Sequence, residues 1–177
     1  KNSSFETDLD NNKIPDQWLA KNLKTTDGLR TTFAHQGKLS FMFSPLTAAN
    51  APKKQLYQSL PLLGSADEAL TLRLWSMTND SVSVGKVAAV ITVNYTDGTS
   101  DSTSAVLPRF VHKWTQRVVR LVTSKPYNSI KVNLTSSNQS SKFLLDDLSL
   151  TSVKSAFAKG LKTTPSGLTT TELAEFK

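Results

Sequence analysis

The amino-acid sequence predicts an all-β protein, an antiparallel β-sandwich or jelly roll with an extended C-terminal tail. Three observations carry that prediction. Apolar and polar residues alternate over short runs. Clusters of Pro, Gly, Asn and Ser separate those runs at short intervals. Before the tail, no stretch shows the long apolar stripe of a helix. The chain of 177 residues, 38% of them hydrophobic, is long enough to bury a full core in one domain.

The elements follow in order. Leu39–Phe43 alternates after the Gly37 turn. Leu70, Leu72 and Leu74 alternate with Thr71, Arg73 and Trp75, as in a half-buried strand. Val87–Tyr95 is rich in β-branched residues and closes on Asp97–Gly98, a hairpin signal, with Ser102–Leu107 as the return strand. Arg117–Val122, Ser129–Leu134 and Phe143–Leu150 supply three more strands, and no tandem repeat interrupts the series. The sandwich is expected over residues 1–152. Residues 153–177 form an extension: a short apolar turn, a Thr-Thr-Pro-Ser-Gly linker, and a final stretch fit to be a donated strand.

Composition excludes several function classes. With no cysteine, disulfide scaffolds, zinc fingers, iron–sulfur sites and thiol catalysis are out. The longest apolar run, Val87–Ile91, is far short of a membrane span. The formal charge of +7 comes from scattered Lys and Arg. In the densest basic stretch, Arg117 and Arg120 fall on opposite faces of a strand, so no nucleic-acid partner is expected. Ser and Thr make up nearly a quarter of the chain, a surface common in secreted β-proteins, and secretion or cell-surface display is the expected address. A mature exported chain would have lost its leader, so none is required.

The most specific local feature is the segment Asp8–Asp16. Oxygen side chains occur at Asp8, Asp10, Asn12 and Asp16, with the Ile14 carbonyl between them. A curled loop can point such alternating residues inward, and Ca²⁺ requires six to eight hard oxygen ligands. The spacing resembles the start of an EF-hand loop and the calcium loops of dockerins and thrombospondin-type repeats. It departs from the full EF-hand at Lys13, where a glycine belongs, and at Leu19, where a glutamate belongs. Without an ion, the segment would be a turn whose side chains cap its own backbone.

Around this loop lie Asn2-Ser-Ser-Phe-Glu6, Ile14-Pro-Asp-Gln-Trp18, Ala34–Phe41, Gln55–Leu60, Leu72-Arg-Leu-Trp75 and Leu144–Leu150. In this order and spacing they resemble the galactose-binding-like jelly-roll modules. These include carbohydrate-binding modules and repeat modules of bacterial surface proteins. The resemblance implies a structural calcium between Glu6 and Asp147, near a carbonyl-donating turn at His35 and Lys38. It also implies core positions for Trp18 and Trp114. Gln17 stands where the family usually has glycine.

Catalysis is not expected. Asp146 and Asp147 are neighbours on a strand and should face opposite ways. There is no nucleophile elbow, no triad context for His35 or His112, and no phosphate loop. Two binding readings remain. In the preferred one the chain is a structural subunit of a cell-surface filament or other assembly of calcium-stabilised modules. Its tail, through Leu168, Leu173 and Phe176, adds a strand to a neighbouring copy. Five Asn-x-Ser/Thr sequons, at Asn2, Asn79, Asn94, Asn133 and Asn138, fit a glycosylated outward surface. In the alternative, the chain is a carbohydrate-binding module that holds a glycan on a concave face through Trp75, Tyr57 and Tyr95.

Overall fold

The computed structural model describes residues 2–46, 48, 50–79, 85–109 and 112–154. They form ten strands: β1 (Leu19–Lys21), β2 (Gly28–Arg30), β3 (Ser40–Phe43), β4 (Lys54–Leu60), β5 (Glu68–Thr78), β6 (Val87–Tyr95), β7 (Ser100–Val106), β8 (Thr115–Val122), β9 (Tyr127–Ser136) and β10 (Phe143–Lys154). Two five-stranded antiparallel sheets face each other. The first runs β1-β4-β9-β6-β7 and the second β2-β3-β10-β5-β8. The all-β sandwich expected from the alternation is the observed architecture.

The alternation explains the packing. Leu70, Leu72 and Leu74 on β5, Val87, Ala89, Ile91 and Val93 on β6, and Ile130, Val132 and Leu134 on β9 are buried between the sheets, while the residues between them face outward. Phe5, Phe41 and Phe43 add aromatic bulk to the same core, packed tilted and edge to face. Each of the Leu, Val, Ile and Phe side chains contributes about 1.5–3 kcal/mol on burial. The Asp97–Gly98 turn joins β6 to β7, and Gly98 takes the positive φ of 83° that such hairpins require.

Two features escape the alternation. First, the β10–β5 register shifts between Asp146 and Ser149, a bulge at which Asp147 adopts φ 46°. Second, Lys54 is fully buried although it opens β4. Its Nζ donates to Asp27 Oδ1 at 2.7 Å, to Ser44 O at 2.7 Å and to Ser44 Oγ at 2.8 Å. Burial lowers the Lys54 pKa, and its hydrogen bond to Asp27 opposes that shift. This charge pair ties the loop before β2 to the ends of β3 and β4. Strand β10 reaches Lys154, slightly past the expected sandwich boundary at 152. Leu168, Leu173 and Phe176 lie outside the described residues.

Candidate functional site

The second sheet carries an unusual outer face. Met42 on β3, Leu144 on β10 and Met77 on β5 are cross-strand neighbours that point away from the main core. They form a separate small cluster covered by the half-buried Trp114. Beside it opens a cleft of about 410 Å³ with Met42 and Leu144 in its floor and Phe33, Thr26, Arg30 and Lys142 around it. Phe33 is 52% exposed, so about half of the side chain is open to a ligand at the edge of the cleft.

The loop that presents Phe33 is held from several sides. Its carbonyl accepts a hydrogen bond from the buried Ser40 Oγ at 2.7 Å. The His35 and Gln36 amides donate to Asp146 Oδ2, and those of Lys38 and Leu39 donate to the Glu6 carboxylate. Gly37 is required here, because a Cβ at this position would lie 2.4 Å from Glu6 Oε1. Opposite, Thr26 Oγ1 donates to Ser44 Oγ, and the Arg30 guanidinium donates to the Leu29 and Thr26 carbonyls. The cleft is therefore largely preformed, as binding sites usually are.

On the same face, Trp75 borders a second cleft of about 320 Å³ with Gln36, Gln116, Asp147 and Ser149. Trp75 points outward, as its place among Leu72 and Leu74 requires, yet His35 stacks on it with ring centroids 4.1 Å apart. One face of the indole is thus taken by the protein itself. The bulge brings both neighbouring acids to the same residue: Asp146 accepts from the His35 amide, and Asp147 Oδ2 lies 2.5 Å from its Nδ1. The expectation that Asp146 and Asp147 face opposite ways fails here, because a bulge breaks the two-residue period.

Asp146 is fully buried, and burial raises its pKa to about 6 against the pull of its backbone donors. The folded state therefore keeps a proton that the unfolded chain has lost between about pH 4 and 6. Stability should fall by up to about 3 kcal/mol as pH rises through that window. Glu68 works the other way. The Ser152 hydroxyl, the Ser65 amide and the Tyr127 hydroxyl hold its pKa at about 2, so its contribution is lost as pH falls below about 4. Denaturant midpoints should peak near pH 4, and Asp146→Asn should flatten the decline above it.

The acidic loop folds as a cluster. Ligand oxygens of Asp8, Asp10 and Asp16 lie within 4.8 Å of one another. Asn12 Oδ1 instead accepts the Ile14 amide at 2.6 Å, and Asp8 accepts the Asn12 and Lys13 amides. Glu6 and Asp147 are occupied separately, the first by the N–H groups of Lys38 and Leu39 and the second by His35. The turn meets Glu6 with donors, where the family resemblance implied carbonyls.

The other expected sugar contacts do not join Trp75. Tyr57 lies on the outer face of the first sheet, with Lys131 Nζ 4.4 Å from its ring centroid. Tyr95 is 2% exposed, its ring in the core and its hydroxyl bonded to Asp101. It cannot meet a ligand, and its register with Ile91 and Val93 is the reason. Trp18 packs in the core on Phe5. Among the sequons, Asn138 is 1% exposed and donates to Ser141, which leaves no room for a glycan on the folded chain. Asn133 bonds Gln55 within the first sheet, and Asn2 spans the Thr7 and Asp16 carbonyls. Asn79 accepts the Lys142 amide beside the large cleft, while Asn94 is exposed.

No family model and no curated protein sequence matches the chain. Solved structures do. The CBM22-1 xylan-binding domain of Paenibacillus barcinonensis Xyn10C aligns with TM-score 0.62 at 19% identity, over 87% of this chain and 94% of that one. TmCBM61, solved with β-1,4-galactotriose, aligns with TM-score 0.58 at 17% identity, over 85% and 95%. The chain shares the jelly-roll β-sandwich fold of these modules. This chain also spans 21% of the enzymatically active domain of bacteriophage CBA120 tailspike protein 4, with TM-score 0.65 at 12% identity over 86% of its own length. A cyclase from Fischerella sp. TAU shares the fold as well, so function has to be argued from the site. None of these similarities supports the filament reading or self-association, and the tail on which that reading rested lies outside the described residues.

Proposed function

We propose that this chain is a non-catalytic carbohydrate-binding module, acting outside the cell or at its surface, whose glycan lies in the Phe33 cleft. The observation that carries this reading is the exposed Phe33 ring beside an apolar floor, with hydroxyls and cations at the rim. A pyranose has one apolar C–H face and an edge of hydroxyls, which suits that arrangement. Among the described residues, no Asp, Glu, His or Tyr lines the cleft, which favours binding over acid–base chemistry. The xylan-binding and galactotriose-bound neighbours on the same fold lend support.

The reading is tested by affinity electrophoresis and calorimetry on neutral and acidic polysaccharides. Binding to at least one is expected; binding to none would overturn it. Trp75→Ala separates the two clefts. With His35 already stacked on the indole, this change should cost about 1–3 kcal/mol of stability but less than about threefold in affinity. A large affinity loss with an unchanged melting temperature would place the ligand at Trp75 instead.

A structural Ca²⁺ belongs to the same proposal. Asp8, Asp10 and Asp16 are hard, like-charged donors held close together, and a cation would relieve their repulsion. At a hundredfold excess over Kd, Ca²⁺ should raise the melting temperature by about 5–10 °C. EDTA should reverse the gain, and Asp8→Ala with Asp10→Ala should abolish it. A melting temperature indifferent to both reagents would leave the segment as a turn.

A further inference from the structure

We infer that the glycan held in the Phe33 cleft is acidic, a polysaccharide whose sugars carry carboxylates. This inference rests on the carbohydrate-binding reading and names its ligand class. The cleft has two cations at its rim, Arg30 and Lys142, and among the described residues no acid lines it. Among the described residues neither cation is in a salt bridge: the ion pairs there are His35–Asp147, Lys54–Asp27 and Lys125–Asp97.

Among the described residues, the acid nearest in sequence to the rim is Asp27, which points inward and is paired with Lys54 and Ser44. Among the described residues, the positive charge at the rim therefore has no acidic partner. Arg30 is also fixed in place. Two of its donors are bound to the Leu29 and Thr26 carbonyls at 2.7 and 2.6 Å. A guanidinium so held offers its remaining N–H groups in a set direction, which favours a planar carboxylate over a neutral hydroxyl. Lys142 is exposed, and its flexible ammonium can follow a second charge along the chain. Phe33, Met42 and Leu144 would meet the ring face of the same sugar.

The experiment uses the full chain with polygalacturonate, alginate and hyaluronate, each beside its carboxyl-reduced, neutral form, and with neutral xylan and galactan. At least one acidic polymer should bind, and carboxyl reduction should weaken it about tenfold or more. Lys142→Gln should weaken it by a similar factor without moving the melting temperature, since that side chain is exposed. Lys21→Gln, on the outer face of the first sheet, controls for diffuse attraction to a basic protein and should leave affinity unchanged. Three results would overturn the inference. Equal binding to reduced or neutral polymers would do so while leaving the carbohydrate reading intact. An equal loss in Lys21→Gln would reduce the effect to net charge. No binding to any polymer would remove both readings.

Discussion

Replacing Lys54 with methionine should destabilise the protein by about 3–5 kcal/mol, the usual result of removing one partner from a buried ion pair. Lys54 and Asp27 are both 0% exposed in their side chains, and their charges meet at 2.7 Å. Methionine keeps much of the volume, so the loss reads the charge and not a cavity. Asp27 would remain buried with the Ser44 amide and hydroxyl and the Lys24 amide as its partners. At this chain length the melting temperature should drop by about 6–20 °C. The double change Lys54→Met, Asp27→Leu should recover a substantial part, because it removes the stranded carboxylate. The pair also matters to the site. It anchors the turn that carries Thr26, so the single mutant should bind glycan more weakly even where it remains folded.

Phe33→Ala should weaken glycan binding by about tenfold to a hundredfold, as truncation of an aromatic anchor does. The ring is half exposed, and its loop is fixed by main-chain and side-chain hydrogen bonds that the mutation leaves alone. Stability should therefore change by less than about 1 kcal/mol. Phe33→Trp offers a larger face and should retain binding. If Phe33→Ala binds like the parent protein, the cleft is not the glycan site.

Much of the fold was legible because it is periodic. Leu70, Leu72 and Leu74, the run from Val87 to Tyr95, and Asp97–Gly98 follow rules that act between near neighbours in the chain. The same rule governs Tyr95. Tyr95 stands in step with Val87, Ala89, Ile91 and Val93, all buried, and its alternation excluded it as a surface contact. Strands β1 and β2 have three residues each, too few for a period to show.

The candidate site was harder to read, because long-range contacts build it. Phe33 sits outside any strand, and its position is set through Ser40, Asp146 and Glu6. The only local hint was a large aromatic that fits no alternation, shortly before the Gly37 turn. Trp75 faced outward as expected, but nothing near it in sequence announced that His35 would cover it. The bulge after Asp146 was invisible for a related reason. A single inserted residue leaves the composition of a strand unchanged while turning two carboxylates toward one histidine.

The central claim is that a glycan occupies the Phe33 cleft. The most direct measurement is a nuclear magnetic resonance titration of the ¹⁵N-labelled full chain with an oligosaccharide cut from the polymer that binds best. Shift changes should concentrate at residues 25–33, 42–44 and 142–144, with little change across the outer face of the first sheet. Changes centred on Tyr57 and Lys131, or on Trp75 with the Phe33 region silent, would contradict the claim.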